Sequence, residues 1–174
     1  MRYCNCCVMP DTRPGSIFTN GVCQACLNYK QRRTMDWNER YSQLLSLVNT
    51  HRNPDYFDCV IGVSGGKDSH YLTYLATKML KLNPFLVRVG DGFSLSQAGQ
   101  HNIRNIYSAF NASLMEVNLS VDLFRRMTRL AFEEMGNFPF IDYMIYAIPI
   151  RIAHQLNIPL VIFGENPAYE YGTT

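Results

Sequence analysis

No uninterrupted apolar run in these 174 residues approaches the length needed to cross a bilayer. The opening MRYCNCCVMPD lacks the apolar core of a secretory signal. Together the two absences lead us to expect a soluble, cytoplasmic protein. Charge of one sign is also scarce. The formal net charge is +2, too mild to argue for a nucleic-acid partner by itself. There is no internal repeat and no low-complexity tract. With 47% hydrophobic and 17% charged residues the chain has an ordinary globular balance, which excludes wholesale disorder. Its length suits one real core, or a core with a small appended module.

Cysteine is absent after Cys59, and five of the six cysteines lie in the first thirty residues. In a reducing compartment such a cluster points to metal ligands before disulfides. Cys4-x2-Cys7 and Cys23-x2-Cys26, fifteen residues apart, form two C-x-x-C turns. Each turn aims two thiolates at one ion, and two turns close a tetrahedral S4 site for a structural Zn²⁺. A redox dithiol pair is the competing reading, but that motif belongs in a βαβ setting, which this segment lacks. Cys6 fits neither turn, and Cys59 sits in an apolar run suited to packing. With four ligands the ion has no open position, so the site is expected to be structural, with metal binding supplying the folding free energy of a segment too small for a core.

The remaining sequence alternates between two periodicities. Residues 35–50 read as a helix with Trp37, Tyr41, Leu44, Leu45 and Val48 on one face, Asp36 as N-cap and Glu39 as capping-box partner. Strands are expected at 57–63, 85–89, 113–117 and 158–164. Helices are expected at 69–82, 96–110, 121–135 and 142–156, the last adjusted around Pro149. The apolar stripe of the first would be Leu72, Leu75, Met79 and Leu82. In the 121–135 helix Phe124, Met127, Leu130 and Ala131 would face inward and Arg125, Arg126 and Arg129 outward. This order implies an α/β fold, a doubly wound and mostly parallel sheet with helices on both faces. The expected organisation is a zinc-ribbon module at 1–34, a connecting helix and linker at 35–56, and an ATP-binding α/β domain at 57–174. A doubly wound sheet would normally continue past the fourth strand, so the C-terminal part of the fold is expected to be missing and that edge poorly covered.

Ser64-Gly65-Gly66-Lys67-Asp68-Ser69 lies between the first of these strands and its helix. Glycines allow a sharp turn that brings backbone N–H groups near an anion, and the helix N-terminus adds partial positive charge there. Lys67 adds a full charge and the serines add hydroxyl donors. The Walker A pattern does not fit, because three residues separate Gly62 from Gly66 and Asp68 follows the lysine. Glu165, Asn166 and Glu170 fall just beyond the last strand, where open α/β sheets bind ligands. Glu165 and Asn166 are therefore expected to face substrate or metal, unless that loop is simply solvated and its acids cap the next element. Of His51, His70, His101 and His154, only His70 lies near the glycine-rich loop.

SGGKDS resembles, position by position, the PP-loop of the ATP pyrophosphatase superfamily, with its GMP synthetases, asparagine synthetases and tRNA-thiolating enzymes. That resemblance implies ATP as cosubstrate, split between the α and β phosphates, with pyrophosphate held by residues 64–69. Asp68 would place Mg²⁺ or order the loop. With CVMPDTRPG (7–15), GVCQAC (21–26), the patch from Asp36-Trp37 to Arg40 and GENPAYEYG (164–172), the chain looks like the N-acetyl sugar amidotransferases of bacterial surface-polysaccharide (lipopolysaccharide O-antigen type) biosynthesis. The likeness runs along nearly all of this chain and about the N-terminal half of a typical member. It implies an AMP- and pyrophosphate-forming ligase that activates the amide oxygen of an N-acetyl sugar nucleotide. Ammonia then gives an acetamidino sugar. Lys67, Asp68, Glu165 and Asn166 would be the catalytic group. A glutaminase and a synthase-like subunit would supply the ammonia, since no cysteine here suits glutamine hydrolysis. The main competitor is a tRNA sulfur transferase of the same PP-loop type. It would need a broader basic surface than Lys30, Arg32 and Arg33, and further cysteines after the loop. A non-catalytic ATP- and zinc-binding assembly module is the third reading.

Overall fold

The structure is a computed structural model that describes residues 1–90, 92–93, 95–137 and 139–172. Contacts divide the chain into two units, one of Met1–Gln43 with the residues from Glu165 onward, the other of Leu44–Gly164. The division differs from the expected boundaries at 34 and 56. The residues after β6, assigned from sequence to the α/β domain, fold with the cysteine module instead.

In the first unit a hairpin of β1 (Phe18–Thr19) and β2 (Val22–Cys23) pairs Phe18 with Cys23. Asn20 and Gly21 both have positive φ, 51° and 78°, the Asn-Gly turn that suits a two-residue hairpin. Directly after Cys23 comes α1 (Gln24–Gln31), which the sequence reading missed because its polar composition carries no apolar stripe. A short helix near the C-terminus, α7 (Pro167–Tyr171), packs against α1. Asn28 Nδ2 donates to the Tyr169 carbonyl at 2.7 Å, and the Tyr169 hydroxyl donates to the Asn28 carbonyl at 2.8 Å. Arg13 and Arg32 stack their guanidinium groups over the Tyr171 and Tyr169 rings, at 5.1 and 5.8 Å. Gly172 closes this corner with φ of 62°, and a Cβ there would lie 2.3 Å from the Ala25 amide nitrogen.

The division between units falls within α2 (Trp37–Thr50). Asp36 caps it as expected, its Oδ1 accepting from the amides of Asn38 and Glu39. Val48 is fully buried and Leu44 and Leu45 pack beside it, whereas Trp37 and Tyr41 at the N-terminal end are exposed.

The second unit holds a four-stranded parallel sheet of β3 (Cys59–Gly62), β4 (Pro84–Val89), β5 (Ser113–Val117) and β6 (Val161–Ile162) in the order β5-β4-β3-β6. Gly62 pairs with Val87, Val89 with Val117 and Ile61 with Ile162. One face buries Ile61, Val63 and Leu86 against α2, α3 (Lys67–Tyr74) and α4 (Gln97–Phe110). The other buries Val60 and Val87 against α6 (Pro139–Gln155), with α5 (Val121–Met135) beside α6. The α/β class, the parallel sheet and the helices on both faces all follow the sequence expectation. No helix among the described residues is long and apolar enough to cross a membrane.

Two details depart from simple periodicity. A π-helical turn, Leu75–Met79, follows α3, and the Leu80 amide bonds the Leu75 carbonyl five residues back. The inserted residue rotates the stripe, so Leu80 and Leu82 are buried while Met79 is exposed. In α5 Leu130 is 60% exposed although expected inside. The expected strand 158–164 contracts to two residues.

Asp58 anchors the entry to β3. It is buried, and its carboxylate accepts from the amides of Asn53 and Asn83, both at 2.6 Å. Asp58→Ala removes two charge-assisted hydrogen bonds from a buried carboxylate and should lower unfolding free energy by about 2–4 kcal/mol in urea titrations. Asp58→Asn keeps one acceptor oxygen and should cost less.

Candidate functional site

Chain order explains where a ligand would sit. From β3 the chain runs outward through β4 to β5, then returns to place β6 on the opposite side of β3. The C-terminal end of β3 is thus the topological switch point, where open α/β sheets form their binding crevice. The sequence after it is Val63, Ser64, Gly65, Gly66, then α3.

Gly65 makes the turn possible. Its φ is 86°, and an added Cβ would come 2.7 Å from Ile103 Cγ1 of α4. The backbone there is both left-handed and pressed against a neighbour, so glycine is required. The Ser64 amide donates to Ser69 Oγ at 2.9 Å, and the Ser64 and Ser69 hydroxyls lie 3.2 Å apart. These contacts fold the loop back on its own helix. Ser69 is buried; Ser64, Gly66, Lys67 and Asp68 are exposed. Because α3 begins at Lys67, its first-turn amides have no partner within the helix and face the loop mouth. His70 Nδ1 sits 2.9 Å from the Gly66 carbonyl and ties the helix back to the loop. Lys67 Nζ meets both carboxylate oxygens of Asp68, at 2.7 and 2.8 Å. Both side chains are largely exposed, so this pair stabilises little, and an incoming phosphate can take the ammonium. The loop residues expected to hold ATP therefore come together around one mouth.

The residues after β6 behave differently. Asn166 caps α7, its Oδ1 accepting from the Tyr169 amide at 3.2 Å, while its own amide donates to Glu170 Oε1 at 3.1 Å. The Asn166 and Glu170 side chains thus have the local capping role that was the alternative to ligand contact. Glu165 is exposed.

Arg88 is a buried charged group that sequence reasoning missed. It lies on the interior strand β4 and is only 6% exposed. It bonds Glu116 across the β4–β5 pair at 2.6 Å. The Asn118 amide, and then Arg88, hold the Glu116 carboxyl below its ordinary range. Arg88 Nε is buried without a partner among the described residues.

In the first unit the sulfurs of Cys4, Cys7, Cys23 and Cys26 all lie within 4.8 Å of one another. Cys7 and Cys23 are 3.7 Å apart and Cys4 and Cys26 are 4.0 Å apart. A tetrahedral S4 shell with Zn–S bonds of about 2.3 Å sets the sulfurs about 3.8 Å apart. An iron–sulfur cubane, with four irons inside, would need them farther apart. Backbone amides of Cys6 and Cys23 donate to Cys4 Sγ at 3.3 and 3.2 Å. The Cys23 amide does most to lower the Cys4 thiol to about 6. Its neighbours move the other way: Cys26 is raised by its contact with Cys7, and Cys23 by burial. One thiolate forms readily, and further ionisation in so small a space requires a cation. These four residues fit a metal ion. Cys6, exposed, contributes its amide and not its sulfur.

No protein-family model matches the chain, and no curated protein matches its sequence. Solved structures do. The chain is similar to an NH3-dependent NAD synthetase from Campylobacter jejuni at 17% identity and TM-score 0.50, over 77% of this chain and 58% of that one. It is also similar to the U34-tRNA thiolase NcsA from Methanococcus maripaludis, solved with its [4Fe-4S] cluster. That match has 17% identity and TM-score 0.51, over 97% of this chain and 56% of that one. The chain thus spans under three-fifths of either structure. The sheet and the turn after β3 have the adenine nucleotide alpha hydrolase-like, or PP-loop, fold.

The purified protein should contain one zinc per chain. Chelation should release it and unfold the first unit while the sheet keeps its circular dichroism. Because Cys4 ionises above about 6 and the other ligands must also lose protons, zinc retention should fall as pH drops below 6. Metal analysis finding no zinc, or a visible iron–sulfur chromophore, would contradict this.

Proposed function

We propose that the protein is an ATP pyrophosphatase-type ligase acting on an N-acetyl sugar nucleotide, with ammonia as second substrate and an acetamidino sugar as product. The observation that carries the ATP chemistry is the Ser64–Ser69 turn at the switch point, with its left-handed Gly65, the first-turn amides of α3 and Lys67 at the mouth. Such a turn suits a leaving pyrophosphate, whose growing charge the amides and Lys67 would neutralise. Asp68, beside Lys67, would hold Mg²⁺ with the phosphates.

An amide carbon is a poor electrophile. In the proposed reaction the amide oxygen attacks the α-phosphate and pyrophosphate departs. Ammonia adds to the activated carbon, AMP leaves with the former amide oxygen, and loss of a proton gives the amidine. Glu165, exposed beyond β6, is the candidate to take that proton; Asn166 is assigned to holding α7. The similar fold of an NH3-dependent NAD synthetase supports the choice of ammonia as nucleophile. Glutamine hydrolysis is assigned to a separate glutaminase with a synthase-like channel subunit. Four of this chain's cysteines are clustered around one another, and burial pushes the Cys59 thiol up to about 12.

The tRNA thiolase match over 97% of the chain favours a second reading, sulfur transfer to tRNA. Against it, within these 174 residues, stands the lack of any cysteine after Cys59, whose own thiol is buried and pushed up to about 12.

Lys67→Ala and Ser64→Ala should each cost about a hundredfold or more in turnover with no loss of fold. With a UDP-N-acetyl sugar and ammonium chloride the products should be AMP and pyrophosphate. Detection of ADP and phosphate would reject the loop assignment. Turnover of sulfide with tRNA would install the second reading.

A further inference from the structure

A second cavity opens in the sheet-bearing unit, away from the PP-loop. It has a volume of about 540 Å³, within the range of small-molecule sites. Its walls come from the segments that follow β4 and β5 and from one side of α5, so it too lies beyond the carboxyl ends of the strands. Three rings shape it: Phe93, Phe124 and Phe132, with Phe93 set edge-to-face on Phe124 at 5.5 Å. Two guanidinium groups, Arg125 and Arg129, share the lining, and no acidic side chain does so among the described residues. Glu133 bonds Arg129 at 2.7 Å and so orients it on the helix surface. Between the arginines in sequence sits Thr128. Its hydroxyl is buried and has no hydrogen-bond partner among the described residues.

A core has no use for that combination. An orphaned hydroxyl is destabilising, and an aromatic hollow exposes apolar surface that water solvates poorly. A ligand with a flat ring and a compact negative group would satisfy all three elements. The ring would lie among the phenylalanines, the hydroxyl would reach its polar edge, and phosphates would meet the arginines. We propose that this cavity binds the nucleoside diphosphate moiety of the activated sugar. This assignment rests on the sugar-nucleotide reading above and gives it a second subsite, distinct from the one that holds ATP.

Calorimetric titration of the protein with UDP tests the assignment. UDP should bind at one site and uridine more weakly by about tenfold or more, since it lacks the charge-assisted contacts. Arg125→Ala and the near-isosteric Thr128→Val should each weaken UDP binding several-fold to tenfold while leaving Mg-ATP binding unchanged. Lys67→Ala should do the reverse. Arg125 is exposed, so its loss should not disturb folding. UDP binding lost in Lys67→Ala but kept in Arg125→Ala would place UDP in the PP-loop and overturn the proposal. So would absence of UDP binding. An apolar dye that binds the cavity as tightly as UDP, indifferent to Arg125, would show a covered protein surface and overturn it too. UDP binding without pyrophosphate release on sugar addition would keep the cavity and reject the reaction. Pyrophosphate release without UDP binding would keep the reaction and reject the cavity.

Discussion

The chain must turn at the end of β3 with a backbone that only glycine adopts comfortably, pressed against Ile103 of α4. The chemistry proposed for the ATP site depends on that constraint. The strand beneath it is buried on both faces, so its end is rigidly placed. The turn opens onto the N-terminus of α3, and the Ser64–Ser69 contacts hold the loop in that shape. A site preorganised for negative charge loses little to reorganisation when phosphate arrives. The Lys67–Asp68 pair is the movable part, poised at the surface where breaking it is inexpensive.

The cysteine cluster solves a different problem. The first unit has two two-residue strands and helices of eight and five residues, together with part of α2, too little to bury a substantial core. Two amides aimed at Cys4 Sγ lower the energy of one thiolate, and the crowding of four sulfurs opposes the rest. A divalent cation held there would reverse that repulsion and serve as the unit's core. The α1–α7 clasp, made by Asn28 and Tyr169, brings the segment after β6 into the same unit.

Much of this was legible in the sequence because the signals are local. The C-x-x-C spacing, the glycine-lysine loop between an apolar strand and a helix, and the period-2 and period-3.6 runs each depend on neighbours a few residues apart. What escaped depended on distant partners. Arg88 looks like a surface charge until the strand order places it inside, opposite Glu116. Asn166 stands where ligands often bind, yet the helix that starts at Pro167 claims its side chain. The π turn after α3 shifted Met79 outward through a single extra residue that no hydrophobic period encodes. Thr128 and the phenylalanines around it are divided between one loop and a helix, and only the fold gathers them.

The central claim is that ATP is used to turn an amide oxygen into a leaving group. The most direct measurement follows that oxygen. An N-acetyl sugar nucleotide carrying a heavy-oxygen label in its acetyl carbonyl, turned over with ATP and ammonium, should deliver the label to the phosphate of AMP, as read by mass spectrometry. AMP free of label, or label retained in the sugar product, would contradict the account.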